Sequence, residues 1–247
     1  MANNSLANGL KTLFIVLGAV MVATLIYTIC TDGLPFRKEL LTPWMAATLI
    51  DFYINVITLA VWIMYKEPNW FTSSVWIVLL ICFGSITTCA YIVLQLMKLS
   101  SQESSQDPLY YVLLQHPNKD GTEPKKKHSL VVPLRILFSA LGCLMLGTLV
   151  FILFTDGSPF RIELFTPWMI ATLIDFYINV VSLAVWVAYK ESSWISAIFW
   201  VILLICFGSI TTCVYIVWQL FQMTSQDPTY LILMRHNNRY NLCSGPT

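Results

Sequence analysis

Residues 41–67 read LTPWMAATLIDFYINVITLAVWIMYKE, and the segment returns at 165–191 as FTPWMIATLIDFYINVVSLAVWVAYKE, an offset of 124 residues. From 31 to 67 against 155 to 191, 29 of 37 positions are identical, and from 76 to 93 against 200 to 217, 15 of 18. The chain is therefore two copies of one unit. Each repeated stretch is long and apolar enough to cross about 30 Å of hydrocarbon and is interrupted by a single carboxylate, Asp51 or Asp175. The whole chain matches that stretch: 57% of residues are hydrophobic, 11% are charged and the mean hydropathy is +0.70, far from the composition of a soluble domain. A net charge of +1 gives no basic surface for a nucleic acid.

Six windows are apolar over spanning length: 12–31, 42–65, 73–98, 134–155, 166–189 and 197–222. The expected architecture is an all-α integral membrane protein of six transmembrane helices, as three-helix repeats at 1–98 and 134–222. A polar linker, 99–133, joins them, and a C-terminal interfacial segment and tail follow at 223–247. Three spans per unit is an odd number, so the second unit is expected to enter the membrane from the opposite side, giving inverted repeats. The piece DPLYYVLLQH at 107–116 returns as DPTYLILMRH at 227–236 and is too short to span, which assigns it to the interface. His116 and His236 close these copies, and inversion would place them on opposite faces, so no metal site and no cofactor are expected. All of the seven Cys except Cys243 lie in or beside apolar runs and read as small buried hydrophobes. On the six-span topology, nine Lys and Arg fall on the linker side against five on the side of the termini, which predicts a cytoplasmic linker and lumenal or external termini.

On the second helix Trp44, Thr48, Asp51, Asn55, Thr58 and Trp62 step by four and three residues and share one narrow face, and Trp168, Thr172, Asp175, Asn179, Ser182 and Trp186 repeat it. Thr42 and Thr166 read as N-caps followed by Pro43 and Pro167 at the first helical position. Eight residues at 1.5 Å each set the carboxylate about 12 Å into the helix, near the midplane. A carboxylate there costs at least about 2.5 kcal/mol. Lys98 and Arg135 stand at the ends of their runs and no Lys, Arg or His lies in the interior of any of the six, so the acid must be protonated, hydrogen-bonded by neutral donors or paired with an external cation. A neutral acid can donate to Asn55 or Asn179. The plainer reading makes Asp and Asn interhelical glue worth about 1 kcal/mol per bond.

Gly84, Thr88, Tyr91 and Gln95 form a second stripe on the third helix, repeated by Gly208, Thr212, Tyr215 and Gln219. The small residues permit close backbone approach, and the hydroxyl and amide beyond them are candidates to face the Asp-bearing helix. The loop TDGLPFRKEL returns as TDGSPFRIEL. Its Arg37 or Arg161 reads either as an anchor paired with Glu39 or Glu163 or as a contact for an anionic group. Lys66-Glu67 and Lys190-Glu191 read as helix caps. Lys125, Lys126 and Lys127 read as a topology signal with affinity for anionic lipid. No HExxH, GxSxG, P-loop, CxxC or dinucleotide fingerprint is present, which removes sequence support for ordinary hydrolase, kinase and redox chemistry.

Through TDGxPFRxELxTPW, the stripe with Asp51 and Asn55, and FGSITTC, the chain resembles a family of plant membrane proteins of unknown function, duplication included. Each half is more faintly similar to small bacterial three-helix membrane proteins with an Asp in the middle helix, an acidic residue at its end and a Trp-led third helix, places held here by Asp51, Glu67 and Trp76 and by Asp175, Glu191 and Trp200. Neither resemblance implies an activity. Three functions fit the residues. The first is a small-solute or cation/proton-coupled transporter or channel using Asp51 and Asp175 as a midplane pair, with Asn55, Asn179, Tyr91, Gln95, Tyr215, Gln219 and the four stripe tryptophans along its pathway. The second is an intramembrane enzyme acting on a lipid or isoprenoid, and the third a non-catalytic membrane scaffold.

Overall fold

The structure is a computed structural model, and it describes residues 2–35, 37–114, 130–224 and 229–234. Among these the chain is helical throughout, with no strand. The first unit comprises α1 (Ala2–Asp32), α2 (Pro43–Lys66), α3 (Trp70–Phe83), α4 (Ser85–Met97) and two short helices, α5 (Ser101–Gln106) and α6 (Pro108–Leu113). The second comprises α7 (Val131–Thr155), α8 (Pro167–Lys190), α9 (Trp194–Phe207), α10 (Ser209–Phe221) and a 3-10 turn at Thr229–Ile232. Among the described residues four helices are long and apolar enough to cross a membrane: α1 from Ser5, α2, α7 and α8. The N-termini of α2 and α8 form as expected. Thr42 Oγ1 accepts the Met45 N–H and Thr166 Oγ1 that of Met169, both at 3.2 Å, with proline opening each helix.

The expected third span of each unit is not one helix. It breaks at Gly84 (φ +52°, ψ −127°) and at Gly208 (φ +52°, ψ −126°), a left-handed conformation that a residue without Cβ adopts at little cost. The chain then doubles back. Thr87 Oγ1 donates to the Leu79 carbonyl at 2.9 Å, and the Trp76 and Tyr91 rings meet edge to face at 5.0 Å. Thr211 with Leu203 and Trp200 with Tyr215 repeat both contacts, so α3–α4 and α9–α10 are helical hairpins. Each hydroxyl adds a bond from the returning arm to a carbonyl in the last turns of the incoming helix.

The hairpins change the parity of the unit and with it the relation between the two copies. Arg135, near the start of α7, donates to the Leu220 and Met223 carbonyls at 2.8 and 2.6 Å, at the end of α10, and Gly142 faces Cys213 one helical stretch further in. The returning arm of each hairpin is thus antiparallel to the unit's first long helix and ends beside its start. The two central helices, α2 and α8, run the same way. Trp44, Met45 and Ala47 share one apolar cluster with Trp168, Met169 and Ala171 at their N-terminal ends, while Leu59 and Ile63 share another with Leu183 and Val187 toward their C-terminal ends. The six-span inverted arrangement is therefore corrected to parallel units, each of two long helices and one hairpin. The N-terminal end of α1 and the C-terminal end of α10 lie on the same side as the end of α4 and the start of α7.

Candidate functional site

Depth brings the hairpin tips to the stripe carboxylates. The fourteen residues of α3 carry its tip about 21 Å from its start, and Asp175 lies fifteen residues, about 22 Å, before the end of α8. Asp175 Oδ1 accepts the N–H of Ser85, the first residue of α4, at 2.7 Å, and Asp51 Oδ1 accepts that of Ser209, the first residue of α10, at 2.7 Å. Each carboxylate thus caps a half-helix of the other unit, where unsatisfied N–H groups and the positive end of the helix dipole favour an anion or a strong acceptor. One turn on, Asn179 Oδ1 accepts from Thr88 Oγ1 at 2.8 Å and Asn55 Oδ1 from Thr212 Oγ1 at 2.9 Å. Both asparagines are fully buried, and their Nδ2 groups have no hydrogen-bond partner. The Asp51-to-Asn55 contact open to a neutral acid is absent from this geometry: each residue is turned to the opposite hairpin instead.

The glycines belong to the same site. A Cβ at Gly84 would stand 2.8 Å from Asp175 Oδ1, and one at Gly208 would stand 2.9 Å from Asp51 Oδ1 and 2.6 Å from the Phe176 ring. Hydrogen there lets the carboxylate reach the backbone N–H.

Tyr91 and Gln95 bind their own unit's Glu67. Tyr91 Oη donates to Glu67 Oε1 at 2.8 Å and Gln95 Nε2 to the same oxygen at 3.0 Å, with Trp62 edge-on to Tyr91 at 5.3 Å. In the second unit Tyr215 and Ser196 donate to Glu191 at 2.8 and 2.7 Å, and Gln219 is buried with its Oε1 unpartnered. These carboxylates fasten each returning arm to the end of its central helix. Lys66 and Lys190 do not cap their own helices. Lys66, although buried, donates to the carbonyls of Tyr111 and Leu114, ending α6; Lys190, 1% exposed, donates to Met234 at 3.0 Å and Leu231 at 3.5 Å beside the 3-10 turn. Trp62 Nε1 adds a bond to the Leu113 carbonyl at 3.2 Å and Trp168 Nε1 one to Gly33 at 3.2 Å. Trp44 Nε1 and Trp186 Nε1 are buried without partners.

The loop arginines pair with Asp32 and Asp156 rather than with the glutamates two residues on: Arg37–Asp32 is 2.6 Å and Arg161–Asp156 2.7 Å, the arginines exposed and the aspartates partly buried. A five-residue separation across the Gly-Pro turn brings these groups together, whereas Glu39 and Glu163 lie within the following 3-10 turns. Lys125, Lys126, Lys127, His116 and His236 lie outside the described residues.

Between the two units is a cavity of about 450 Å³. Equivalent residues of both copies line it, among them Leu59 and Leu183, Trp62 and Trp186, and Phe14 and Phe138, so it sits on the approximate twofold axis. Among the described residues no charged side chain lines it; its hydroxyls are those of Thr58, Tyr65 and Ser182. Asp51 and Asp175 are not part of its wall. Thr58 and Ser182 were legible as members of the stripe, but a cavity is a property of the packed pair. Glu67 and Glu191, by contrast, are site residues whose signal was available: an acidic residue at a helix end, with a Tyr and an amide one turn apart in the segment that follows.

Four long apolar helices, two hairpins and a twofold repeat define a helical protein with the make-up of a membrane protein. The chain belongs to the family described as "Protein of unknown function (DUF1475)", whose model matches it twice, at residues 4–120 and 119–240. Each match spans one complete unit with its α5–α6 region or its equivalent, so the repeat is larger than three helices. Comparison with curated proteins and with solved structures finds no match.

Proposed function

We propose that the protein is an integral membrane protein of four spans and two half-membrane hairpins that binds an apolar molecule between its two units. The observation that carries this reading is the axial cavity: its volume falls within the roughly 300–1,000 Å³ of small-molecule sites, and its wall is apolar and contributed by both copies. On this topology only Arg37, Lys38 and Arg161 of the fourteen Lys and Arg fall on one side, and the other eleven, by chain position, fall on the side of the linker and both chain ends. That distribution supports a cytoplasmic linker with cytoplasmic termini, reversing the expectation for the termini.

Transport by a shared midplane carboxylate pair has less support. Each Asp is committed to the hairpin of the other unit and neither faces the cavity, so the proton-coupling step and the proton-donor step of a lipid enzyme both lack a carboxyl donor at the binding space. The hydrogen bonds of Asp51, Asn55, Asp175 and Asn179 favour a structural role for the stripe. The test is binding of an environment-sensitive apolar fluorophore to the full-length protein in nanodiscs. Filling the cavity with Leu59→Trp and Leu183→Trp is expected to weaken binding at least tenfold. Unchanged binding in a folded double variant would overturn the reading.

A further inference from the structure

We propose that the occupant is one hydrocarbon chain of a leaflet lipid, which enters sideways from the leaflet on the side of the chain ends while its headgroup stays outside. This rests on the reading of the cavity as a binding site and adds the route and the class of ligand. Most wall residues are buried, but Met64 and Leu130 are 62% and 52% exposed and mark its mouth. Met64 is two residues from the end of α2 and Leu130 directly precedes α7, so the mouth lies at the level where both helices meet the boundary on that side. It opens on the lateral surface of two helices whose apolar outer faces require hydrocarbon around them. A molecule arriving there is already dissolved in the membrane.

The wall decides which part of it enters. A charged or zwitterionic headgroup would be desolvated against apolar side chains with no counter-charge, which is strongly unfavourable; a hydrocarbon chain passes from one apolar medium into another. Of its three hydroxyls, those of Thr58 and Ser182 already donate to the Ile54 and Ile178 carbonyls one turn back. At roughly 30 Å³ per water-sized group, the cavity takes about fifteen methylene-sized units, which suits one acyl or isoprenoid chain and not two. Above the cavity α6 and the 3-10 turn contribute Leu109, Leu113, Ile232 and Leu233 and are tied down by Lys66 and Lys190. They close the axial route from the aqueous side and leave the lateral one.

The test uses full-length protein in nanodiscs containing one of two photoactivatable phospholipids, with the diazirine at the end of an acyl chain or on the headgroup, followed by peptide mapping. The chain-end probe is expected to label the inner segments around Leu59, Phe138 and Leu183, and Leu130→Trp at the mouth to reduce that labelling at least fivefold. The headgroup probe is expected to label only the region of Met64 and Leu130. Chain-end labelling confined to outward residues such as Phe151 and Phe154, or headgroup labelling at Leu59 and Leu183, would overturn the proposal. If the apolar fluorophore still binds and still responds to cavity filling in that case, only the lipid-chain assignment has failed. Loss of both signals discards the binding site itself.

Discussion

Asp175 Oδ1 lies 2.7 Å from the backbone nitrogen of Ser85, ninety residues earlier in the chain and in the other repeat. The contact has an exact structural twin in Asp51 and Ser209, and it explains why a carboxylate persists in a helix with no basic partner: the acceptor is required by a helix N-terminus that the partner unit leaves open.

If capping is the role of the carboxylate, Asp175→Asn should be tolerated within about 1 kcal/mol, since Asn caps almost as well, while Asp175→Leu should cost about 2 kcal/mol by leaving a buried N–H unpaired. Thermal unfolding of the two variants in detergent separates them. Equal loss in both would show that the negative charge itself is needed.

Gly84→Ala places a methyl group 2.8 Å from Asp175 Oδ1 at a φ of +52°, and the combined clash and backbone strain should cost about 1–3 kcal/mol. Gly147→Ala, where nothing stands within 4 Å of the added carbon, is the control and should be neutral or slightly stabilising. The comparison requires only the two unfolding midpoints.

Thr88 and Asn179 are joined side chain to side chain across the repeats at 2.8 Å. A double-mutant cycle with Thr88→Val and Asn179→Leu should return a coupling of about 1 kcal/mol, and the equivalent cycle on Thr212 and Asn55 a similar one. Simple additivity would count against the bond.

Parallel units put the two Asp-Gly-Pro-like loops on one face. In a background without native cysteines, Leu34→Cys and Ser158→Cys should react with an impermeant maleimide from the same side, and Gln102→Cys from the other. Inverted units would split Leu34 from Ser158.

Much of this was readable in the sequence, including the repeat, the long helices, the Thr-Pro starts of α2 and α8, and the face shared by Asp51 and Asn55. The hairpin was not, because FGSITT sits inside an apolar run in which a lone glycine ordinarily continues a helix at a cost of about 1 kcal/mol. The usual local sign of a new helix, a capping side chain just before it, is missing at Gly84 because the cap arrives from Asp175 in the other unit. Once that span became a hairpin, the count of crossings per unit changed from odd to even, and the expected inversion went with it. Arg37 illustrates a smaller miss of the same kind: proximity in sequence favoured Glu39, while the turn delivered Asp32.

The exchange of caps also bears on ancestry and assembly. A chain of one unit would carry an Asp with no tip to bind and a tip with no Asp, and two such chains side by side would complete each other. The half-length form of this fold is thus expected to be an obligate homodimer, and the present chain corresponds to that dimer with its subunits fused. During synthesis the first hairpin then waits for α8 before its fold is complete, so separately expressed halves should accumulate only when produced together.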